Sequence, residues 1–312
     1  MKISILGGGS WGTALAVHLA SKNHDVKVWE FFEEQARHMQ EERVCKFLPD
    51  TKLPENIFIT SDMGKSLEQS ELILIVVPSD KVDKTMDVAK QFISDQPIVI
   101  CSKGFGPDLK LLTEVVKEKI SGKVYCLYGP THAEEVCKGM FSGIVLAGED
   151  DSLVKEFQTD DFVVDYTSDV IGVQVSAALK NILAVFIGAI DGAGLGDNAK
   201  AYVMTRGLNE IKKVGAALGA KEETFYGLAG IGDIIVTCTS EHSRNRYVGW
   251  EVGKGRELKE VVDEMKMVAE GVITVKEAIK LKEKFNLDLP LITGLYEILF
   301  NGKKVKEILE SI

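Results

Sequence analysis

The run Lys2-Ile3-Ser4-Ile5-Leu6-Gly7-Gly8-Gly9-Ser10-Trp11-Gly12 decides the fold of the first half of this chain. Lys2–Leu6 is short, apolar and closed by glycine, which predicts a strand. Beyond it, Trp11–Lys22 returns Leu15, Leu19 and several alanines at helical spacing. Between strand and helix, Gly7, Gly9 and Gly12 fall in the pattern G-x-G-x-x-G. Gly7 permits the tight turn, Gly9 lets the backbone approach a pyrophosphate, and Gly12 lets the helix pack close to the sheet. The unpaired amides at the helix N-terminus then face the anion. In this strand–turn–helix setting the pattern points to a dinucleotide cofactor rather than to a glycine-rich loop without a ligand.

Working outward, Asp25–Trp29 reads as the second strand and ends at Glu30. An acid at this distance from the glycines accepts hydrogen bonds from the adenosine ribose hydroxyls. The competing reading makes Glu30 a solvated charge before an acidic helix, Phe32–Arg43, which opens with Glu33 and Glu34. Further apolar strands follow at Leu72–Val77, Ile98–Cys101, Val124–Leu127, Ile144–Leu146 and Phe162–Tyr166. The alternation implies parallel βαβ units and a Rossmann-type, doubly wound α/β sheet. From Ile171 the periodicity turns helical: Gln174–Ile190, Ala201–Leu218, Glu257–Met265, Thr274–Phe285 and Leu291–Phe300. Two domains are therefore expected, a dinucleotide-binding domain at 1–171 and an all-α substrate and catalytic domain at 172–312.

Composition narrows the function. The 312 residues are 45% apolar and carry a net charge of −10, which disfavours a nucleic-acid-binding surface. A small anion remains compatible, because a few cations and a helix N-terminus suffice to bind it. The cysteines are Cys45, Cys101, Cys126, Cys137 and Cys238, an odd number without Cys-x-x-Cys spacing. They read as reduced thiols that form no metal site. The chain runs from Met1-Lys2 straight into a strand, which leaves no signal peptide. The most apolar stretch, Ile182–Ile190, is too short to cross a bilayer. A cytoplasmic protein without stable membrane insertion is expected.

Several polar residues stand where chemistry is plausible. Lys180 lies in an apolar helix, where a charged lysine needs a partner or a role; the alternative is a snorkelling side chain. Lys103 follows a strand at the carboxyl end, where ligands of open α/β sheets sit. Asp233 closes Gly230-Ile231-Gly232-Asp233, either as a helix cap or as a carboxylate that orients an ammonium. Ser243-Arg244-Asn245 combines a helix-capping serine, a guanidinium fork and an amide, a set suited to phosphate; a solvated basic turn is the alternative.

Taken in order, the glycine turn, Ser102-Lys103-Gly104, Gly129-Pro130-Thr131-His132-Ala133, Ala178-Leu179-Lys180-Asn181, Gly230-Ile231-Gly232-Asp233 and Ser243-Arg244-Asn245-Arg246 resemble the NAD(P)-dependent glycerol-3-phosphate dehydrogenase family across nearly the whole chain. The resemblance implies hydride transfer between nicotinamide and dihydroxyacetone phosphate or sn-glycerol 3-phosphate, supplying glycerol 3-phosphate for phospholipid synthesis, in a homodimer. It implies Lys180 as proton acceptor and donor, with Lys103 and Asp233 beside it in catalysis. Substrate contacts carried over are Lys103, Gly129, Thr131, Lys180, Asp233, Ser243, Arg244 and Asn245. Cofactor contacts are Gly7, Gly9, Ser10, Trp11, Gly12, Glu30, Lys103, Ala133, Arg244, Val268 and Glu270, for NAD(H) with NADP(H) as the alternative. Many members carry arginine or histidine after the second strand, suited to a 2′-phosphate, whereas this chain has Glu30, Phe31 and Phe32. His132 stands where phenylalanine is usual, and Ser176-Ala177 where a glycine pair is usual. Two other functions share parts of this layout. Another two-domain hydroxyacid-type dehydrogenase would lack the Ser-Arg-Asn stretch. A non-catalytic dinucleotide sensor would not need Lys180, Lys103 and Asp233 together.

Overall fold

The computed structural model describes residues 1–240, 243–265 and 269–312. The chain divides into two compact units, Met1–Val170 and Ile171–Ile312.

The first unit is built on strands β1 (Lys2–Leu6), β2 (Asp25–Trp29), β3 (Val44–Cys45), β4 (Leu48–Lys52), β5 (Ile57–Thr60), β6 (Leu72–Ile75), β7 (Ile98–Ile100), β8 (Val124–Tyr128), β9 (Ser142–Ala147) and β10 (Phe162–Thr167). Eight of them form one sheet in the order β10-β9-β8-β7-β6-β1-β2-β5, while β3 and β4 make a separate antiparallel pair. The chain winds outward from β1 through β2 to β5, then returns to β6 on the other side of β1. That reversal is the topological switch point at which open α/β sheets bind ligands. Side chains alternate along each strand. Ile3 and Ile5 of β1 share a core cluster with Leu15 and Leu19 of the Ser10–Ser21 helix, while Ile73 and Ile75 of β6 are fully buried as well. Burial on both faces is why these strands are apolar almost throughout.

Three features depart from the sequence reading. Strand β5 and the β3–β4 pair were not expected. β5 pairs with β2 although Phe58 in it stays exposed. The pair β8–β9 is antiparallel, so β9 and β10 run against the other six strands of the sheet. Hydrophobic patterning marks strands but not their direction.

The second unit is helical. Its longest elements are Val170–Gly192 and Gly196–Leu218, followed by Asp233–Thr239, Arg244–Gly253, Leu258–Glu264, Glu270–Phe285, Pro290–Asn301 and Val305–Ser311. The first corrects the expectation of an apolar stretch too short to span a bilayer. It has 23 residues and is long and apolar enough by length and composition, yet 89% of its apolar window is buried within the protein. Its apolar character serves the core.

Two helices of this unit meet without side chains between them. A Cβ on Gly188 would lie 2.0 Å from the Arg246 carbonyl oxygen, and one on Gly192 would lie 2.1 Å from that of Trp250. Conversely, a Cβ on Gly249 would lie 1.8 Å from the Val185 carbonyl oxygen, and one on Gly253 would lie 2.2 Å from that of Ala189. Glycine at all four positions lets the Val170–Gly192 and Arg244–Gly253 backbones touch over two turns.

Candidate active site

In the first unit, the residues singled out from sequence follow the carboxyl ends of the parallel strands. Gly7 continues β1 with φ +127°, and a Cβ there would strike the Val76 carbonyl group after β6 at 2.8 Å. A Cβ on Gly12 would lie 1.9 Å from the Gly7 oxygen. Gly9 is different: a Cβ on it would meet nothing within 4 Å, so its backbone faces open space. The Ser10–Ser21 helix starts there without a side-chain cap, which leaves its first amides for an external acceptor. The indole N–H of Trp11 is buried and has no hydrogen-bond partner. An open cradle, uncapped amides and an orphaned donor fit the pyrophosphate of a dinucleotide.

Glu30 is 6% exposed, which overturns its reading as a solvated charge. Its carboxylate accepts from the Phe32 amide at 3.0 Å and also from the Gly8 amide. Burial pushes this carboxyl above the ordinary range, and the Phe32 amide, the charge of Lys46 and the Gly8 amide pull it partly back. A carboxylate offers about four acceptor positions, so these two bonds do not exhaust it.

Lys103, half-buried, sits in a pinned loop rather than a flexible one. The Ser102 hydroxyl donates to the carbonyl of Val77 beyond β6, and the Tyr128 hydroxyl at the end of β8 donates to the Ser102 carbonyl. Gly104 has φ +134°, and a Cβ there would come within 2.5 Å of the Ser79 hydroxyl. Gly129 is required by packing, because its Cβ would lie 2.8 Å from the Ile144 Cα on β9. The Thr131 hydroxyl donates to the Gly129 carbonyl at 3.2 Å. Ala133 is buried at the start of the short Ala133–Cys137 helix, and the Nε2 of His132 before it is buried without a partner.

In the second unit Lys180 is 4% exposed, so its head does not snorkel to water. Its ammonium pairs with the carboxylate of Asp233 and donates to the Thr237 hydroxyl at 2.8 Å. Thr237 also contacts Asp233 at 3.4 Å. From the first turn of its helix, the Asp233 side chain turns to the lysine. Both charges are out of water, and such a pair persists only with good geometry and additional hydrogen bonds, which Thr237 supplies. Sequence reasoning left Thr237 without a role. The signal was its position four residues after Asp233, which puts both on one helix face.

Ser243 caps the Arg244–Gly253 helix, its hydroxyl accepting from the Arg246 amide at 3.3 Å. Asn245 accepts from the Gly271 amide at 2.9 Å. Only the oxygen of a side-chain amide accepts, so this bond fixes the orientation of the amide and leaves its NH2 for another acceptor. Arg246, next in sequence, is bound to Asp191. Glu270 accepts from Asn181 at 3.3 Å. Val268, expected to contact cofactor, lies outside the described residues.

Comparison with known proteins shows the family. The chain matches the family described as NAD-dependent glycerol-3-phosphate dehydrogenase, its N-terminal part over residues 2–154 and its C-terminal part over residues 169–310. It is 40% identical over 319 residues to a protein of Thermoanaerobacter sp. (strain X514) named glycerol-3-phosphate dehydrogenase (NAD(P)+), covering 100% of this chain and 96% of the relative. A protein of the same name from Bacillus licheniformis is 42% identical over 325 residues, covering 100% and 93%. Among solved structures, a glycerol-3-phosphate dehydrogenase from Coxiella burnetii superposes with a TM-score of 0.95 at 34% identity, covering 99% of this chain and 98% of that one.

Proposed function

The chain belongs to the NAD-dependent glycerol-3-phosphate dehydrogenase family, and from that premise we infer how its own residues carry out the reduction of dihydroxyacetone phosphate to sn-glycerol 3-phosphate and its reverse. A nicotinamide dinucleotide held at the glycine turn would supply the hydride chemistry at C2 of the substrate. Lys180, as the ammonium, gives a proton to the C2 oxygen as it gains charge; in the oxidative direction the neutral amine takes the hydroxyl proton back. Asp233 and Thr237 orient the lysine head, and the Asp233 carboxylate compensates the buried cation. Ser243, Arg244 and Asn245 hold the phosphate, with the guanidinium fork and the oriented NH2 as donors. Lys103, Gly129 and Thr131 are assigned as further substrate contacts. The glycine turn with Ser10, Trp11 and Ala133 holds the dinucleotide, Glu30 its ribose, and Lys103, Arg244 and Glu270 complete the cofactor contacts.

The observation that carries this reading is the buried Lys180–Asp233–Thr237 constellation. A sensor that merely bound a dinucleotide would have no use for an ammonium held this way. NAD(H) is the preferred cofactor in this proposal, on the strength of the buried Glu30. We place the protein in the cytoplasm, as a homodimer supplying glycerol 3-phosphate to phospholipid synthesis.

The test compares two ketones with NADH as reductant. Dihydroxyacetone phosphate is reduced, and dihydroxyacetone without its phosphate loses at least about a hundredfold in kcat/KM, the scale of one or two charge-assisted hydrogen bonds. Equal efficiency on both ketones contradicts the phosphate site.

A further inference from the structure

Asp191 lies eleven residues after Lys180 on the Val170–Gly192 helix, about three turns along the same face and roughly 16 Å up the axis. Its carboxylate joins three helices. One oxygen accepts from Nε and Nη2 of Arg246 at 3.0 and 2.6 Å, and the other lies 2.8 Å from the Lys200 ammonium on the Gly196–Leu218 helix. The group is largely sheltered, with 17% of its side chain exposed. Burial pushes its carboxyl up, but the two cations outweigh this and hold it below the ordinary range.

The position of Arg246 gives this pair its meaning. It lies in the first turn of the Arg244–Gly253 helix, two residues after Arg244, and its own amide is the one capped by Ser243. That helix meets the Lys180-bearing helix through the four-glycine seam. Such a seam brings backbones close but offers few interlocking side chains, so it restrains separation better than sliding or rotation. A two-pronged arginine–carboxylate contact supplies the missing direction.

We propose that Asp191 is a positioning residue for substrate phosphate: by gripping Arg246 it fixes the turn that carries Ser243, Arg244 and Asn245 relative to Lys180, and it withdraws the charge of Arg246 from that cradle. The proposal rests on the dehydrogenase reading above. It assigns a role to a pair of side chains that touch neither the proton in flight nor the phosphate.

Steady-state kinetics of the full chain test it. Asp191→Asn raises the KM for dihydroxyacetone phosphate about tenfold or more, the scale of weakened charge-assisted contacts, while kcat at saturation and the KM for NADH stay within about twofold. Arg246→Ala raises the same KM, and the double variant is no worse than the more affected single one, because both act through one contact. Arg246→Lys keeps the charge but loses the fork and falls between native and Asp191→Asn; it keeps the test available if Asp191→Asn does not fold. An unchanged substrate KM in Asp191→Asn overturns the proposal. So do additive effects in the double variant, or losses spread equally over kcat and both KM values. A native protein inactive on dihydroxyacetone phosphate is a different result: it removes the functional reading itself, and the proposal with it.

Discussion

At Glu30, burial and two backbone amides hold a carboxylate beneath the glycine turn. A 2′-phosphate brought there would add about −2 charge near a sheltered anion. Phe31 and Phe32, which follow it, are 70% and 62% exposed and bring no cation. Native enzyme is therefore expected to favour NADH over NADPH in kcat/KM, and Glu30→Ser should move that ratio toward NADPH by about tenfold or more. A native preference for NADPH that survives the substitution would remove Glu30 from the ribose site. Asn245 gives a second residue-scale test. Asn245→Asp keeps an acceptor for the Gly271 amide, so the melting temperature should hold. It replaces the NH2 with a carboxylate oxygen, so the KM for dihydroxyacetone phosphate should rise by about tenfold or more. A variant that binds substrate normally would show that this side chain only joins two helices. Glu30 could be proposed from the sequence because its distance from the glycines is a property of one βαβ unit. The amide orientation of Asn245 was not, because its partner lies 26 residues away.

Among the elements, the Pro290–Asn301 helix shows how a helix end can be completed from elsewhere. Leu289 at its N-cap offers no side-chain acceptor. Glu210 of the Gly196–Leu218 helix, 4% exposed, instead accepts from the amides of Leu291 and Ile292 at 2.7 and 2.9 Å. Burial pushes the Glu210 carboxyl up, and the two amides draw it partly back. Glu210→Ala would strand two buried donors, and denaturant titration should show a loss of about 2 kcal/mol or more. Glu210→Gln keeps an acceptor and should lose less; equal stability in all three forms would mean that water satisfies this helix end. A cap of this kind leaves no local trace, so sequence reading placed the helix but not what closes it. The same limit explains β5 and the β3–β4 pair: β3 has two residues, β4 (Leu48–Lys52) carries a proline and three polar residues, and the pairing with β2 that makes β5 a strand is a tertiary fact. The long elements were legible because burial on one face or two repeats along them many times.

For the molecule as a whole, the glycine turn, the strand-to-helix change near residue 171 and the ordered motifs made the architecture readable. The two compact units divide at Val170–Ile171. What remained hidden were contacts between distant segments: Thr237 on Lys180, Asp191 on Arg246, Asn245 on Gly271. The proton transfer depends on the first of these. Replacing Lys180 with an uncharged residue would leave the buried Asp233 carboxylate without this cation, at a cost of about 3–5 kcal/mol, and would confuse folding with catalysis. Lys180→Arg avoids this, because arginine keeps the cation beside Asp233 but does not release its proton at neutral pH. The decisive measurement is the turnover of dihydroxyacetone phosphate by Lys180→Arg at saturating NADH, with NADH affinity measured alongside. The account predicts a fall in kcat of about 10²–10⁴ with NADH affinity retained; turnover close to native would contradict it.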